Sequence, residues 1–268
     1  MQNPLEDMLD GIDKKVYSTT CSVQEIRLPL FAPVKQVTHN SHIYENFMNN
    51  KKTRKVKTQW GSVNVKNSIL TQKHRDILDL IALYSKNIKR LEDGRIALSF
   101  SISKILKAYE DSGNNYVWFR SILEELMGAV IMIIDSKGKK YYFHIISAMK
   151  FDERGDFAGI ILSNEYLAFY SNTLAINYNR EIMKILSIQS SFIRALVRFF
   201  ISHIQVNISF EDLLLALGVD ESSDRYIRSL KKHVKDNAKI LDYFGIKFDD
   251  YRLMFIYKQS KIDVKFVK

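Results

Sequence analysis

The sequence predicts an α+β fold in which an extended N-terminal arm is followed by two similar units, each built of helices and a β-hairpin. Residues 209–257 run through a short amphipathic segment, a glycine turn, a longer basic helical segment and two alternating apolar runs. Residues 70–146 follow the same order of patterns without sequence identity to 209–257. Residues 1–59 show no comparable periodicity, which indicates an arm.

The second unit begins with a short helix whose two ends are marked in the sequence. Ser209 is a residue type preferred at a helix N-cap, and Gly218 follows the last apolar residue, where a left-handed C-cap needs glycine. The next helical segment, 222–241, places apolar residues at three- and four-residue steps, which makes one buried stripe. That stripe consists of Ile227, Leu230, Val234, Ala238 and Leu241. Two alternating runs, 244–248 and 251–257, then predict a hairpin.

The face of 222–241 opposite the stripe is cationic, as contact with DNA phosphates and bases requires. The predicted DNA contacts there are Arg225, Arg228, Ser229, Lys232 and Lys235. A charged helix face is also an ordinary solvated surface, and the neighbouring short helix, turn and hairpin are what favour DNA binding. Helix, turn, basic helix and hairpin is the order of a winged helix-turn-helix, whose second helix enters a DNA groove. The predicted fold is therefore α+β with two tandem winged-helix domains (helix-turn-helix plus β-hairpin) and an extended N-terminal arm.

The first unit carries a weaker version of this surface. Its helices are predicted at 70–91, 101–109 and 115–127, and its hairpin at 129–134 and 139–146. The candidate DNA contacts are Arg120 in the third helix and, at the hairpin tip, Lys137, Lys139 and Lys140. Because Glu124 and Glu125 on the same helix would repel phosphate, we expect this unit to make fewer base contacts or to serve assembly.

We predict three domains: an arm at 1–59, a first winged-helix domain with bridging strands at 60–176, and a second winged-helix domain at 177–268. The segment 167–176 is strand-like and belongs to the bridge. The second domain opens with a long apolar helix, 180–204, on which Arg194 and Arg198 line one edge. These two arginines could face phosphate, but surface charge is the favoured interpretation.

The arm contains two features with open interpretations. One is an apolar peptide similar to the sliding-clamp-binding peptides of bacterial replication proteins, with residues Gln24, Ile26, Leu28, Leu30 and Phe31. Short apolar peptides dock into grooves on partner proteins, but such a segment can equally pack on its own domain. Glu25 departs from the clamp-binding pattern, which has Gln there. The other feature is a run of five cations within 51–57, which predicts either an arm that tracks DNA or a solvated linker.

The composition narrows the class of function. The net charge of +10 predicts a polyanionic partner, with nucleic acid before an anionic membrane surface. A single cysteine, Cys21, rules out an internal disulfide and fits a reducing cytoplasm. The sequence has no phosphate-binding loop, no zinc-ligand spacing and no nucleophile elbow. We therefore expect no enzyme activity, no metal and no cofactor, and we predict that His74, His144 and His203 are structural.

The order of these features resembles plasmid replication initiators of the TrfA type. Residues 28–31 look like that family's amino-terminal LPL-aromatic arm, and residues 70–77 look like the opening of its first helix. Residues 200–203 look like its aromatic-x-Ser-His segment. Residues 226–242, with Gly245, look like its recognition helix and the glycine before the wing. A Lys or His replaces the family's aspartate in 70–77, and the composition is rich in Lys and Asn rather than Ala and Arg.

The resemblance implies a replication initiator in the bacterial cytoplasm that binds repeated sites (iterons) in the double-stranded DNA of a plasmid origin. It implies melting of an adjacent segment, recruitment of the host initiator, replicative helicase and sliding clamp, and a balance between monomer and homodimer. One alternative is a winged-helix transcriptional regulator with an N-terminal dimerisation or interaction domain. Another is a metal-dependent nicking enzyme with a tyrosine nucleophile, for which the spacing of His39 and His42 is poor.

Overall fold

The computed structural model describes residues 21–58, 61–110, 115–152, 155–171, 175–219, 223–259 and 262–267. Within these ranges the chain forms both helices and strands, and the strands of each sheet pair antiparallel, which confirms the predicted α+β class. None of the helices in these ranges is both long and apolar enough to cross a membrane.

The helices divide between the two halves of the chain. Those of the first half are α1 (Val23–Arg27), α2 (His42–Asn49), α3 (Gln72–Tyr84), α4 (Ile102–Glu110), α5 (Tyr116–Gly128) and α6 (Asn164–Ser171). Those of the second half are α7 (Ile182–Leu186), α8 (Ser191–Ile201), α9 (Phe210–Ala216), α10 (Asp224–Asp236) and α11 (Ala238–Tyr243). A 3-10 turn at Asn179–Glu181 precedes α7.

The strands of the described residues form four antiparallel sheets. In the first half they are β1 (Cys21–Ser22), β2 (Thr53–Thr58), β3 (Gly61–Lys66), β4 (Asn87–Arg90), β5 (Ile96–Ser101), β6 (Val130–Asp135), β7 (Lys140–Phe143), β8 (Ile146–Phe151) and β9 (Phe157–Leu162). After them come β10 (Ala175–Asn177), β11 (Gln205–Ser209), β12 (Ile246–Asp249), β13 (Met254–Lys258) and β14 (Lys265–Val267). The sheet orders are β2–β3–β6–β7, β4–β5–β9–β8, β11–β13–β12 and β1–β10–β14.

Helix α3 lies in the middle of a hydrophobic cluster that runs through both halves. It packs against α4 and α5 of the first half and against α7 and α8 of the second. Its residues from Gln72 to Ile81, apart from Lys73, are buried, including charged ones. Because buried charges are unfavourable without partners, the polar residues of α3 must be satisfied inside the protein.

Two predicted long helices are shorter than the sequence pattern suggested. Helix α3 ends at Tyr84, and the residues that follow pair with β5 as strand β4. The helix predicted at 180–204 is interrupted between α7 and α8, where Ser190 caps α8 by accepting a hydrogen bond from the Ile193 N–H. Apolar residues continue at helical spacing through both interruptions, so periodicity alone could not locate them.

Two further predictions of secondary structure are wrong, one for a strand and one for a helix. Residues 164–171 form α6 instead of the strand predicted to begin at 167, because the Ser163 hydroxyl accepts the Tyr166 N–H and starts a helix. The segment predicted as one helix at 222–241 divides at Asn237 into α10 and α11. The Asn237 side chain donates to the His233 carbonyl at 2.8 Å, which satisfies the end of α10.

The two predicted units also differ in how their hairpins are paired. The predicted hairpin of the first unit forms from β6 and β7. On its other side β6 pairs with β3, which pairs with β2, so the hairpin is half of a four-stranded sheet. The strand that precedes its helix pair, β5, pairs instead with β9. In the second unit the equivalent strand, β11, pairs directly with the hairpin strand β13.

Residues 21–58 are packed structure, which corrects the arm predicted at 1–59 for these residues. They contain β1, α1, α2 and β2, and Leu30, Phe47 and Val56 are buried. The first 20 residues lie outside the described residues. We call residues 21–32 the N-terminal strap, because they join strand β10 at one end and Thr71 at the other.

Candidate nucleic-acid interface

The second unit combines α8, α9 and α10 with the three-stranded sheet β11–β13–β12. Packing between aromatic rings holds the hairpin β12–β13 on the helices. Phe255 of β13 lies 5.5 Å from Phe200 of α8 and 6.2 Å from Phe210 of α9, measured between ring centroids. All three side chains are buried, so the hairpin has a fixed position beside α9 and α10.

The turn between α9 and α10 has the end signals predicted from sequence. The Ser209 hydroxyl accepts the Asp212 N–H at 3.0 Å and caps α9. Gly218 has a φ of +66°, the left-handed conformation expected after the helix. A Cβ atom at this position would lie 2.7 Å from the Pro29 Cβ. Glycine is therefore required both by the backbone and by the N-terminal strap packed against it.

Helix α10 is anchored on one side. Leu230 and Val234 are 2% and 1% exposed, and the Ser223 hydroxyl caps the helix by accepting the Tyr226 N–H. Of the predicted stripe, these two positions and Leu241 of α11 are buried, and Ile227 is partly buried against the core. Ala238, the next predicted member, is exposed because the helix direction changes at Asn237.

The opposite side of α10 is open to solvent. The predicted DNA contacts there are all exposed: Arg225, Arg228, Ser229, Lys232 and Lys235. Lys235 pairs with Asp250 in the hairpin turn at 2.7 Å. Within the described part of the chain, no carboxylate forms an ion pair with Arg225, Arg228 or Lys232. Among the described residues, these three cations therefore face solvent without an acidic partner.

The candidate contacts of the first unit are not equivalent to one another. The Arg120 guanidinium is half-buried and lies 4.7 Å from the centroid of the Phe151 ring in β8. Arg120 thus packs partly against its own unit, and its role as a DNA contact stays a prediction. Lys137, Lys139 and Lys140 are exposed at the tip of β6–β7, as predicted.

The clamp-like peptide is docked in the protein itself. Leu30 and Phe31 are 0% and 7% exposed, while Ile26 and Leu28 are partly buried against the core. Ile26, Leu28 and Phe31 line the groove between α3, α8 and the end of α9. Gln24 belongs to α1, and its side chain lies outside the described residues. Of the two interpretations of this peptide, packing on its own domain is the one that the structure shows, and clamp binding stays a prediction that requires release of the strap.

Most of the basic run at 51–57 lies in the edge strand β2, and its first two lysines lie in the turn before it. Its lysines are exposed, but Arg54 is 3% exposed. The Arg54 guanidinium donates to the Pro29 carbonyl and to the Gly218 carbonyl, both at 2.8 Å. Arg54 therefore connects β2, the N-terminal strap and the turn before α10.

The clearest departure from the sequence prediction is a buried ionic cluster between α3, α8 and the strap. Its members are the cations Arg75, Arg194 and Arg198 and the anions Glu25, Asp76 and Asp79. Each is no more than 6% exposed at its side chain. Arg194 and Arg198 lie in the core, so the interpretation favoured from sequence, surface charge, is wrong. The signal that could have found them is the composition of α8, which is apolar on all sides and leaves its arginines no polar face.

The cluster is fully connected by hydrogen bonds. Arg198 donates to Asp76 at 2.7 Å, to Asp79 at 2.8 Å and to the Gln72 side-chain oxygen at 2.8 Å. The Tyr178 hydroxyl donates to Asp79 at 2.9 Å. Burial alone would lower the pKa of Arg198, but the two neighbouring aspartates raise it above its ordinary value. With three cations and three anions, the cluster is balanced in charge.

His74 is structural, as predicted. Its Nδ1 accepts the Thr71 N–H at 2.9 Å and completes the N-terminal cap of α3. Its Nε2 therefore carries the proton and donates to Glu125 at 2.9 Å. Burial lowers the pKa of His74, which keeps the ring neutral. Glu125, expected to repel phosphate, is thus engaged inside the first unit.

No protein-family model matches the chain, and no curated protein matches it in sequence. Among solved structures, the chain is similar to a crystal structure of domains 2 and 3 of RctB, a selenomethionine derivative, with a TM-score of 0.46 and 12% sequence identity. The similarity covers 80% of this chain and 87% of that one. A similarity of this size carries no inference about function.

Proposed function

We propose that this protein binds double-stranded DNA and reads its sequence through α10. The observation that carries the proposal is the contrast between the two sides of that helix. Leu230 and Val234 hold it in the core, while Arg225, Arg228 and Lys232 project into solvent. The major groove of DNA admits one helix, and arginine or lysine there can hydrogen-bond guanine.

The unit around α10 fits a winged helix, with β12–β13 as the wing. The wing turn presents Tyr251, 97% exposed, and Arg252, 77% exposed at its side chain. A cation there would reach the DNA backbone beside the groove that α10 enters. For the first half, the order α3, β5, α4, α5 and β6–β7 supports a second winged helix whose hairpin has been drawn into a larger sheet.

The role we propose is initiation of DNA replication at repeated sites in a plasmid origin, with melting of adjacent DNA and recruitment of host replication proteins. This rests on the motifs that resemble TrfA-type initiators, and we assign the chain no catalytic step. One feature of the structure supports it over a regulator. The ionic cluster and Arg54 hold the two halves in one arrangement, as expected for a protein that places both halves on one asymmetric site.

The assignment of α10 can be tested by fluorescence anisotropy on a duplex obtained by binding-site selection with the full chain. We expect the triple variant Arg225→Gln, Arg228→Gln, Lys232→Gln to lose about 1–3 kcal/mol for each base-contacting residue. Its salt dependence should also fall by about 0.9 for each phosphate contact removed. The matched control replaces three exposed cations elsewhere, Arg90, Lys104 and Lys107, with Gln. Equal affinities of the α10 variant and the control would reject α10 as the reading helix.

The replication role is separated from the regulator alternative by the shape of the site. A hydroxyl-radical footprint on the selected duplex should protect one asymmetric site of about two helical turns, with each half covering roughly one turn. A palindromic footprint, bound by a dimer, would favour the transcriptional regulator. Loss of plasmid maintenance in the α10 variant, with retention in the control, would be the cellular counterpart.

A further inference from the structure

The sheet β2–β3–β6–β7 has one face in the core and one face outside it. Val56, Val63, Val65, Ile131 and Phe143 are buried on the core face. Since side chains alternate along a strand, the intervening residues stand on the opposite face. The strand register places there Thr53, Lys55, Lys57, Ser62, Asn64, Lys66, Val130, Met132, Ile134, Lys140 and Tyr142. We call this the open sheet face.

The open sheet face is cationic. Lys55, Lys57, Lys66 and Lys140 are all exposed, and no Asp or Glu occupies a strand position on this face of the four strands, all of which are described. Adjacent strands lie ~4.8 Å apart, so the outer strands β2 and β7 are separated by about 14 Å. The basic run and the lysine-rich hairpin, far apart in sequence, thus contribute to one surface.

The β7 edge of this face offers a contact of another kind. The Tyr142 ring is 58% exposed, and its cross-strand neighbour is Met132, which is half-buried. Ile134 beside it is half-buried, while Asn64 on β3 is only 6% exposed and offers no contact surface. Lysines that share one sheet face with an exposed aromatic ring match single-stranded nucleic acid, in which phosphates need cations and unpaired bases stack on rings. Duplex DNA fits less well, because its major groove admits a helix or a two-stranded ribbon but not a four-stranded sheet.

We propose that the open sheet face binds single-stranded nucleic acid, with the four lysines on the phosphates and Tyr142 stacked on a base. In one RNA-binding module a four-stranded sheet stacks two or three bases on its aromatic side chains, so a sheet of this size can hold a short single strand. The site lies outside α10, so it does not depend on the proposed reading of duplex DNA.

The test is fluorescence anisotropy of the full chain with labelled oligo(dT) and oligo(rU) of about 20 nucleotides, long enough to span the sheet. The sheet variant replaces Lys55, Lys57, Lys66 and Lys140 with Gln. The matched control replaces Lys86, Lys104, Lys107 and Lys150, also exposed, with Gln. We expect at least ten-fold weaker binding by the sheet variant, a salt slope lower by up to ~0.7 per lost contact, and parent-like binding by the control.

Tyr142→Ala supplies a second measurement that leaves the charge unchanged. We expect about five-fold or greater loss of affinity from one lost stack. The α10 variant should bind both oligonucleotides like the parent, even if it loses the duplex. Three results would overturn the proposal: no binding of either oligonucleotide by the parent, equal losses in the sheet variant and its control, or a loss in the sheet variant that is as large for duplex as for single strands.

Discussion

Replacing Arg198 with Met tests whether the buried ionic cluster holds the two halves together. Methionine retains a long, unbranched side chain at this position in α8, but it lacks the guanidinium that donates to Gln72, Asp76 and Asp79. Asp76 keeps its pair with Arg194, and Asp79 keeps Arg75 and the Tyr178 hydroxyl. The cluster is then left with one uncompensated negative charge that water does not reach.

The expected cost follows from that burial. Removing one partner of a buried, hydrogen-bonded ion pair destabilises a protein by ~3–5 kcal/mol. This is a large share of the ~5–15 kcal/mol by which folded proteins are stable, so Arg198→Met should fold but be marginal. Adding Asp79→Asn restores neutrality, and the amide oxygen can still accept from Arg75 and Tyr178. We expect the double variant to recover roughly 2 kcal/mol.

The assay is urea unfolding followed by circular dichroism, with Arg252→Met as the matched control. Arg252 lies 3.9 Å from Asp249 and is 77% exposed at its side chain, so its loss should cost less than ~1 kcal/mol. If Arg198→Met cost no more than the control, the cluster would not be a desolvated ion network. If Asp79→Asn worsened Arg198→Met, charge imbalance would not be the cause of the loss.

Three further predictions concern stability and are measured in the same unfolding assay. Gly218→Ala should lower the free energy of unfolding by ~2–4 kcal/mol, because φ is +66° and the new Cβ would lie 2.7 Å from the Pro29 Cβ. The control Gly128→Ala, which has open space around it, should leave stability unchanged. Equal effects of the two substitutions would contradict this reasoning. Leu30→Ala should lower the free energy of unfolding by ~2–5 kcal/mol, because Leu30 of the strap is buried in the core. Unchanged stability would show that the strap is not part of the core. Burial lowers the pKa of His203 to about 4, so the unfolded chain takes up this proton first and stability falls as pH drops from about 6.5 to about 4. His203→Asn should flatten that fall by roughly 1–2 kcal/mol, allowing for screening at this partly exposed ring, and an unchanged pH profile would refute it.

The sequence was most informative where the physics is local. Ser209 and Gly218 mark the ends of one short helix through hydrogen bonding and backbone conformation that involve only neighbouring residues. The buried and exposed sides of α10 follow from helical periodicity, which Leu230 and Val234 confirm. Periodicity gave the wrong helix bounds where apolar spacing continues through a break, as at Ser190 and Asn237. The free-energy difference between capping a helix there and continuing it is small, and the spacing of apolar residues does not show it.

The strap and the basic run show a different kind of failure. Leu28 to Phe31 have the composition of a free docking peptide, yet their partner is this chain's own groove between α3 and α8. Arg54 has the same charge as the lysines beside it, but strand alternation turns it inward toward the Pro29 and Gly218 carbonyls. A local sequence pattern does not distinguish a cation that will face solvent from one that will donate to a carbonyl of a distant segment.

The sequence by itself determined the α+β class, the caps and the cationic side of α10, because these depend on side-chain periodicity and on residues a few positions apart. Only the tertiary structure decided which arginines are buried, since Arg194 and Arg198 meet Asp76 and Asp79 from more than 100 positions away. It likewise decided that β2 and β7 share one sheet, and so brought two separate groups of lysines onto one face. Strand pairing and ion pairing over such distances are set by the packing of the whole core, which no single segment encodes.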